Sequence, residues 1–192
     1  MLDAFSPERL ADRAKIQDLI YRWCRSVDRL DRQAMRDVFH EDAFDSHGPY
    51  IGPVDGLIDW IFERHKPITF SSHFIGNMII EFASEDVALV ESYVRTIQHY
   101  PAHAKSQLSQ LTGGAQGPDN KAMDMFTSSR YLDRVERRNG VWKIAYRTLI
   151  QDWKQLTEVT SPALQPKEGW IIGRRDGTDA MEEIRRELGL AK

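Results

Sequence analysis

Three side chains in this sequence are of types that move protons or hold charge, and the local pattern turns each inward: Asp28 in "RSVD", His73 in "SSHF" and Arg147 in "AYRT". Imidazole exchanges a proton near neutral pH, and a carboxylate beside it fixes the tautomer and leaves the second ring nitrogen free to act as a base. An arginine on an inward strand face is costly unless something anionic meets it. Each residue also has a purely structural account. Asp28 can cap the turn "DRLD", His73 can be a strand residue without chemistry, and Arg147 can close a salt bridge from the open side of a sheet. Tyr21, seven residues before Asp28 and near the same helical face, offers a phenol hydroxyl.

The elements that must position these groups follow from periodicity. Ser6 and Pro7 make a helix start, the hydroxyl as cap and the proline in the first turn. Ile16, Ile20, Trp23, Cys24 and Val27 then recur at helical spacing, which predicts a helix over 7–28. "DRQAMRDVFHEDA" predicts a short second helix capped by Asp31, with Met35, Val38 and Phe39 inward. "GPVDGLIDWIFERHKP" predicts a third, whose buried stripe is Leu57, Trp60 and Ile61 and whose end is Pro67.

From residue 69 the period becomes two. "FIGNMIIEFAS", "DVALVESYVRTIQHY", "MDMFTSSRYLDRVERR" and "VWKIAYRTLIQDW" predict four long strands, the last two joined by the asparagine-glycine turn of "RNG". Helices first and antiparallel strands after them give an α+β layout. Residues 101–121 are a long polar connection, expected to act as a flap with Gly113 and Gly114 as pivots. The tail beyond Trp153 passes Pro162 and Pro166 to a terminal helix in "DGTDAMEEIRRELGL".

Composition narrows the chemistry. With 192 residues, 41% hydrophobic and 29% charged, the chain has the make-up of one ordinary globular domain, and a net charge of −3 gives no reason to expect nucleic acid. No run approaches the roughly twenty apolar residues that cross a bilayer. A cytosolic location fits the single cysteine, Cys24, which lies on an apolar helix face and reads as core filler. No metal or other cofactor is expected. Proline separates His99 from His103, and His40 and His47 around Asp42 and Asp45 read as loop residues more readily than as ligands. Dinucleotide, phosphate-loop and nucleophile-elbow motifs are absent.

The order of these elements, with "IQDLIYRWCRSVDRLD", "FHEDA", "SSHFIGN" and "RVERRNGVWKIAYRTLIQDW", resembles the SnoaL-like branch of the nuclear transport factor 2-like superfamily over about residues 7–153. The resemblance implies a cone-shaped α+β barrel, a curved antiparallel sheet enclosing a cavity capped by three N-terminal helices. It implies a domain over 1–153, with 101–121 as an insertion, and an extension over 154–192 packed on the domain or on an oligomer interface. It further implies that Asp28 orients His73, that Arg147 faces the same cavity, and that the reaction is a cofactor-independent elimination of water, halide or formaldehyde from a hydrophobic cyclic or aromatic substrate. Related enzymes carry a lysine or tyrosine where this chain has Trp23, so Tyr21 becomes the candidate to assist a leaving group. Trp23, Phe39, Trp60, Phe70 and Phe74 are the expected substrate walls, and a homo-oligomer, dimer or trimer, is the expected assembly. Two other outcomes stay open on the same fold: a binding or scaffold module without turnover, and an isomerase that shuttles a proton within a ketone.

Overall fold

Ser6 Oγ accepts a hydrogen bond from Arg9 N and starts helix α1 (Pro7–Arg29), which Leu30 ends in the left-handed region at φ 54°. Asp31 then caps α2 (Arg32–Asp37) by accepting from Ala34 N. The computed structural model describes residues 3–114, 117–161 and 167–190. The second helix is shorter than its pattern predicts, because Phe39–Ser46 leaves it to form strand β1. Pairing explains the difference: β1 lies parallel to the last strand, with Asp45 beside Arg147, and antiparallel to β2 (Ile51–Pro53). Such tertiary pairing overrides a weak local helical preference. Helix α3 (Val54–His65) follows.

Strands β3 (Phe70–Phe82), β4 (Val87–Tyr100), β5 (Met123–Arg138) and β6 (Val141–Glu158) complete a six-stranded sheet in the order β2-β1-β6-β5-β4-β3. Every pairing is antiparallel except β1 with β6. The sheet curves without closing, and the helices cover its concave face. Asn139 and Gly140, both at positive φ, make the tight β5–β6 turn that their sequence calls for. Bulges interrupt the β5–β6 register at Ser128/Ser129 and at Arg134/Val135. A bulge shifts the two-residue alternation by one, and this lets Ile144, Arg147 and Leu149 all point inward.

Two apolar clusters fill the cone. The larger joins α1, α2 and α3 to the sheet through Ile16, Ile20, Trp23, Met35, Leu57, Ile61, Val94 and Tyr131. The smaller contains Ile68, Tyr100, Ala104, Leu108, Met123 and Met125. Its helical members come from the expected flap: residues 102–112 fold as a single 3-10 turn (Ala102–Ala104) and helix α4 (Lys105–Thr112), which Gly113 ends at φ 66°. Ala104 and Leu108, four apart, bury one face of that segment.

In the C-terminal segment, Arg175 ties the chain to the domain. Its guanidinium donates to Val27 O at 3.3 Å, Asp28 O at 2.7 Å, His65 O at 3.3 Å and Ile68 O at 2.6 Å. These carbonyls include ones that the C-terminal turns of α1 and α3 leave unmatched, where a cation is also favoured. Beyond it, Asp179 caps α5 (Ala180–Glu187) by accepting from Met181 N. No helix among the described residues is long and apolar enough to cross a membrane.

His65 makes this junction sensitive to acid. It is fully buried, and its Nδ1 accepts from Arg175 Nη2 at 3.1 Å. Burial, followed by the nearby Arg64 and Arg175 charges, pushes its imidazole well below the ordinary histidine value. The unfolded chain binds a proton near pH 6.5 that the folded chain refuses, so stability is lost as pH falls below that value. The slope expected from this one group approaches 1.4 kcal/mol per pH unit. Urea unfolding between neutral pH and about pH 5 should therefore show a falling midpoint that His65→Gln flattens.

Candidate active site

Helix α1 packs against β3, which brings the end of the helix beside the first residues of the strand. There Asp28 accepts three hydrogen bonds. Its Oδ1 takes them from His73 Nδ1 at 2.7 Å and Ser71 Oγ at 2.9 Å, and its Oδ2 takes one from His73 N at 2.8 Å. Burial disfavours this carboxylate, but the imidazole and the donors outweigh it and hold the pKa below the usual aspartate value. A charged Asp28 keeps the proton of the neutral ring on Nδ1. Nε2 is then the basic nitrogen, on the ring edge away from Asp28.

His73 lines a cavity inside the cone and, together with Asp28, a shallow groove outside it. The register sets His73 beside Thr96, Thr96 beside Thr127 and Thr127 beside Lys154, so these four side chains form a row across β3, β4, β5 and β6. Thr96 Oγ1 and Thr127 Oγ1 share a hydrogen bond of 2.5 Å. Val94, Gln98, Met125, Ser129, Tyr131, Leu149 and Gln151 extend the floor, and His47, Arg64 and Leu111 close the sides. The cavity is partly open and its volume is about 60 Å³. At the mouth, Lys154 Nζ donates to Leu111 O and Trp60 Nε1 donates to Gln110 Oε1 at 3.2 Å, which fastens α4 over the opening. A roomier cleft of about 680 Å³ lies between α1, α2 and α5, but solvated charged side chains line it and no carboxylate–imidazole pair faces it.

The structure brings Asp28 and His73 together and leaves other expected partners apart. Arg147 does not line the cavity. It is fully buried, donates from Nε and Nη2 to Asp133 Oδ1 and Oδ2 at 2.7 and 2.8 Å, and sits 4.1 Å from the Tyr131 ring centroid and 5.0 Å from that of Trp23. Burial disfavours its charge, but Asp133 more than compensates and raises its pKa. Arg147 therefore supports the cavity from beneath by holding Tyr131. Tyr21 is half exposed and borders a shallow groove on the outer side of the dyad with Cys24, Arg25 and Phe74.

The expected aromatic wall is also absent. Trp23 and Phe39 pack edge to face in the core at 5.2 Å, below the cavity floor. Phe70 and Phe74 are exposed, 74 by 70%, on the outer face of β3. Alternation is the reason: when His73 points in, its strand neighbour Phe74 must point out. Trp60 stands beside the site and carries Arg64 on its ring at 4.7 Å. Cys24 is buried and its thiol is pushed up to about 12, chiefly by burial. Among the described residues no three His, Cys, Asp or Glu side chains come together to hold a metal.

Arg64 and His65 are functional candidates that the sequence pattern does not single out, and His47, which reads there as a loop residue, also lines the cavity. Arg64 and His65 lie three and four residues after Ile61, so they continue the buried stripe of α3. Their positions carried the signal and their polar character hid it. His47 Nδ1 lies 3.2 Å from Asp45 Oδ1, a second carboxylate–imidazole contact on the same cavity.

Comparison with known proteins agrees with this architecture. Residues 8–148 match the model of the SnoaL-like domain. Among solved structures, a hexachlorocyclohexane dehydrochlorinase (LinA) of type 2 superposes with a TM-score of 0.64 at 21% identity, covering 84% of this chain and 97% of its own. A scytalone dehydratase-like protein from Novosphingobium aromaticivorans gives 0.61 at 21% identity, with 84% and 96% covered. The Kfla4162 protein of Kribbella flavida gives 0.62 at 16%, with 76% and 94% covered. At these identities the likeness is one of fold. No sequence among the curated proteins gives a significant match.

Proposed function

The chain belongs to the SnoaL-like domain family, and we propose that it is a cofactor-independent lyase in which His73 is the general base. Nε2 takes a proton from the substrate, the electron pair left behind forms a new double bond, and the leaving group departs from the neighbouring carbon with its bonding pair, as halide or as hydroxide that takes the proton back from the imidazolium to become water. Formaldehyde release is the related case: the base takes the hydroxyl proton of a hydroxymethyl arm, the freed O–H pair becomes the C=O of formaldehyde, and the pair of the broken carbon–carbon bond forms the double bond as the leaving group departs from the next carbon. Asp28 holds the ring and stabilises the imidazolium that forms. A general base so placed supplies about 10²- to 10⁴-fold. The observation that carries the reading is the pair of Asp28 contacts to His73, one to the ring at 2.7 Å and one to the backbone at 2.8 Å, at the wall of an internal cavity. An isomerase finds less support, because Tyr21 lies outside the cavity.

A cyclic or aromatic substrate remains our reading, with a change in its chemistry. The lining mixes Val94, Met125, Leu149 and Tyr131 with hydroxyls, amides and bases. About 60 Å³ is less than half of the ~150 Å³ cavity that admits benzene in an engineered protein, so entry of a ring requires α4 to move from the mouth. Gly113 and Gly114, both at positive φ, allow that motion. Incubation with aromatic diols, hydroxylated polyketides and chlorinated rings, followed by ultraviolet absorbance for new conjugation and by formaldehyde assay, is expected to give product from at least one class. Compounds that bind throughout the panel with no product from any would favour the binding module instead.

We also propose self-association. Trp170, Ile171 and Ile172 in the tail, and Tyr93, Ile97 and Trp153 on the outer sheet face, are exposed large apolar side chains of the kind an interface covers. Sedimentation is expected to give a dimer or trimer, and Trp170→Glu with Ile171→Glu to weaken it if the tail lies in the interface; a monomer at all concentrations contradicts the proposal.

A further inference from the structure

We propose that Arg64 is an anion anchor and that the substrate carries a carboxylate seated on it. The inference deepens the lyase reading by naming a substrate class, and its test does not depend on turnover. Arg64 lines the same cavity as His73 and is only 6% exposed. Among the described residues it has no carboxylate partner within ion-pair distance, unlike the equally buried Arg147 with Asp133 and Arg9 with Asp12. Its hydrogen bond runs from Nη1 to the Tyr100 hydroxyl at 3.1 Å, and its Nε is buried without any. Tyr100 donates in turn to Gln98 Oε1 at 2.9 Å, which turns the phenol lone pairs toward the guanidinium. The Trp60 ring lies 4.7 Å below it.

This is an arginine supported from every side except by a counter-charge. Burying a guanidinium beside a neutral phenol and an aromatic ring costs free energy that only an anion in the remaining space recovers. Burial does depress its pKa, and only the phenols of Tyr100 and, less, Tyr131 oppose the shift. The rest of the lining points the same way. Besides Arg64 it presents Lys154, His47 and His73, and no acidic side chain. The nearby Asp28 is already engaged by His73 and Ser71. Guanidinium matches a carboxylate in plane and spacing, and polar neighbours such as Gln98 and Thr96 suit the same group. Turned toward the cavity by the inner stripe of α3, Arg64 also supplies the charge that the burial of Arg147 withholds from the site.

The probes are benzoate and its neutral isostere benzamide, titrated into the full chain by calorimetry. Benzoate is expected to bind at least about tenfold more tightly than benzamide, and Arg64→Met to weaken benzoate by about ten- to hundred-fold while leaving benzamide nearly unchanged. Arg64→Lys should recover part of the loss, and it serves as the second variant if methionine disturbs folding. His73→Ala should retain benzoate binding, so that failure of the catalytic reading and failure of this one give different patterns. Equal affinity for the two probes, absence of benzoate binding, or full benzoate affinity in Arg64→Met overturns the proposal.

Discussion

Asp28→Asn is expected to remove about as much activity as His73→Ala, roughly 10²- to 10⁴-fold in kcat/KM. The two side chains act as one unit, so the double variant should lose little more than either alone. The reason lies in the donors around Asp28. His73 Nδ1 and Ser71 Oγ meet Oδ1, and His73 N meets Oδ2. An asparagine amide has one oxygen for these two places. With its NH₂ toward the backbone, two N–H groups oppose each other and β3 shifts at His73. With its NH₂ toward the ring, Nδ1 must accept, the proton moves to Nε2, and the cavity faces a donor in place of a base. The second orientation removes the base and the first displaces it, while the side-chain volume at position 28 stays nearly unchanged. Because Asp28 titrates below the usual carboxylate range, the wild-type contact persists as pH falls through that range and is lost only beneath it.

The largest loss of stability is expected from Arg147→Met. The guanidinium is the cation between Asp133, which it grips with two bonds, and Asp45, its register partner on β1. Both carboxylates are fully buried, and Asp45 Oδ2 already lacks a partner. Breaking a buried pair from one side costs about 3–5 kcal/mol, because the remaining charge stays in a low-dielectric setting. For a chain of this length that corresponds to a fall in Tm of about 6–20 °C by thermal unfolding. The sign of its pH dependence is a further check. Without the arginine, Asp133 keeps the burial that raises its pKa and loses the charge that opposes it, so the deficit should be greatest at neutral pH and should shrink as acid neutralises that carboxylate. Asp133→Leu combined with Arg147→Met should recover part of the loss.

Why some of this was legible in the sequence, and some not, follows from the range of each signal. Asp28 ends an apolar helical stripe, and Ser71 and His73 share a face by alternation, so periodicity turns these groups inward, but that Asp28 meets His73 follows only from the family resemblance. Alternation also carried the position of Asp133, two residues from Tyr131 and two from Val135 on the inner face of β5. The same rule should have turned Phe74 outward. Arg64 and His65 were hidden because a stripe was sought among apolar residues alone. The bulges in β5 and β6 decide which way Arg147 and Lys154 face, and no short window of residues reveals them. Strand β1 depends on β6, about a hundred positions away, and the grip of Arg175 on Asp28 O spans 147. Such long-range contacts leave no periodic trace, so the local pattern extends a helix across Phe39–Ala43 and gives the tail no anchor.

The most direct measurement of the central claim is the ¹⁵N shift of the two His73 ring nitrogens in the full chain at mildly alkaline pH, with His73→Ala to assign the signals. The expected result is a proton on Nδ1, held by Asp28, and an unprotonated Nε2 whose signal moves when a cavity ligand binds. A proton resident on Nε2 in the wild type, or an Asp28→Asn variant with an unchanged pattern, would contradict it.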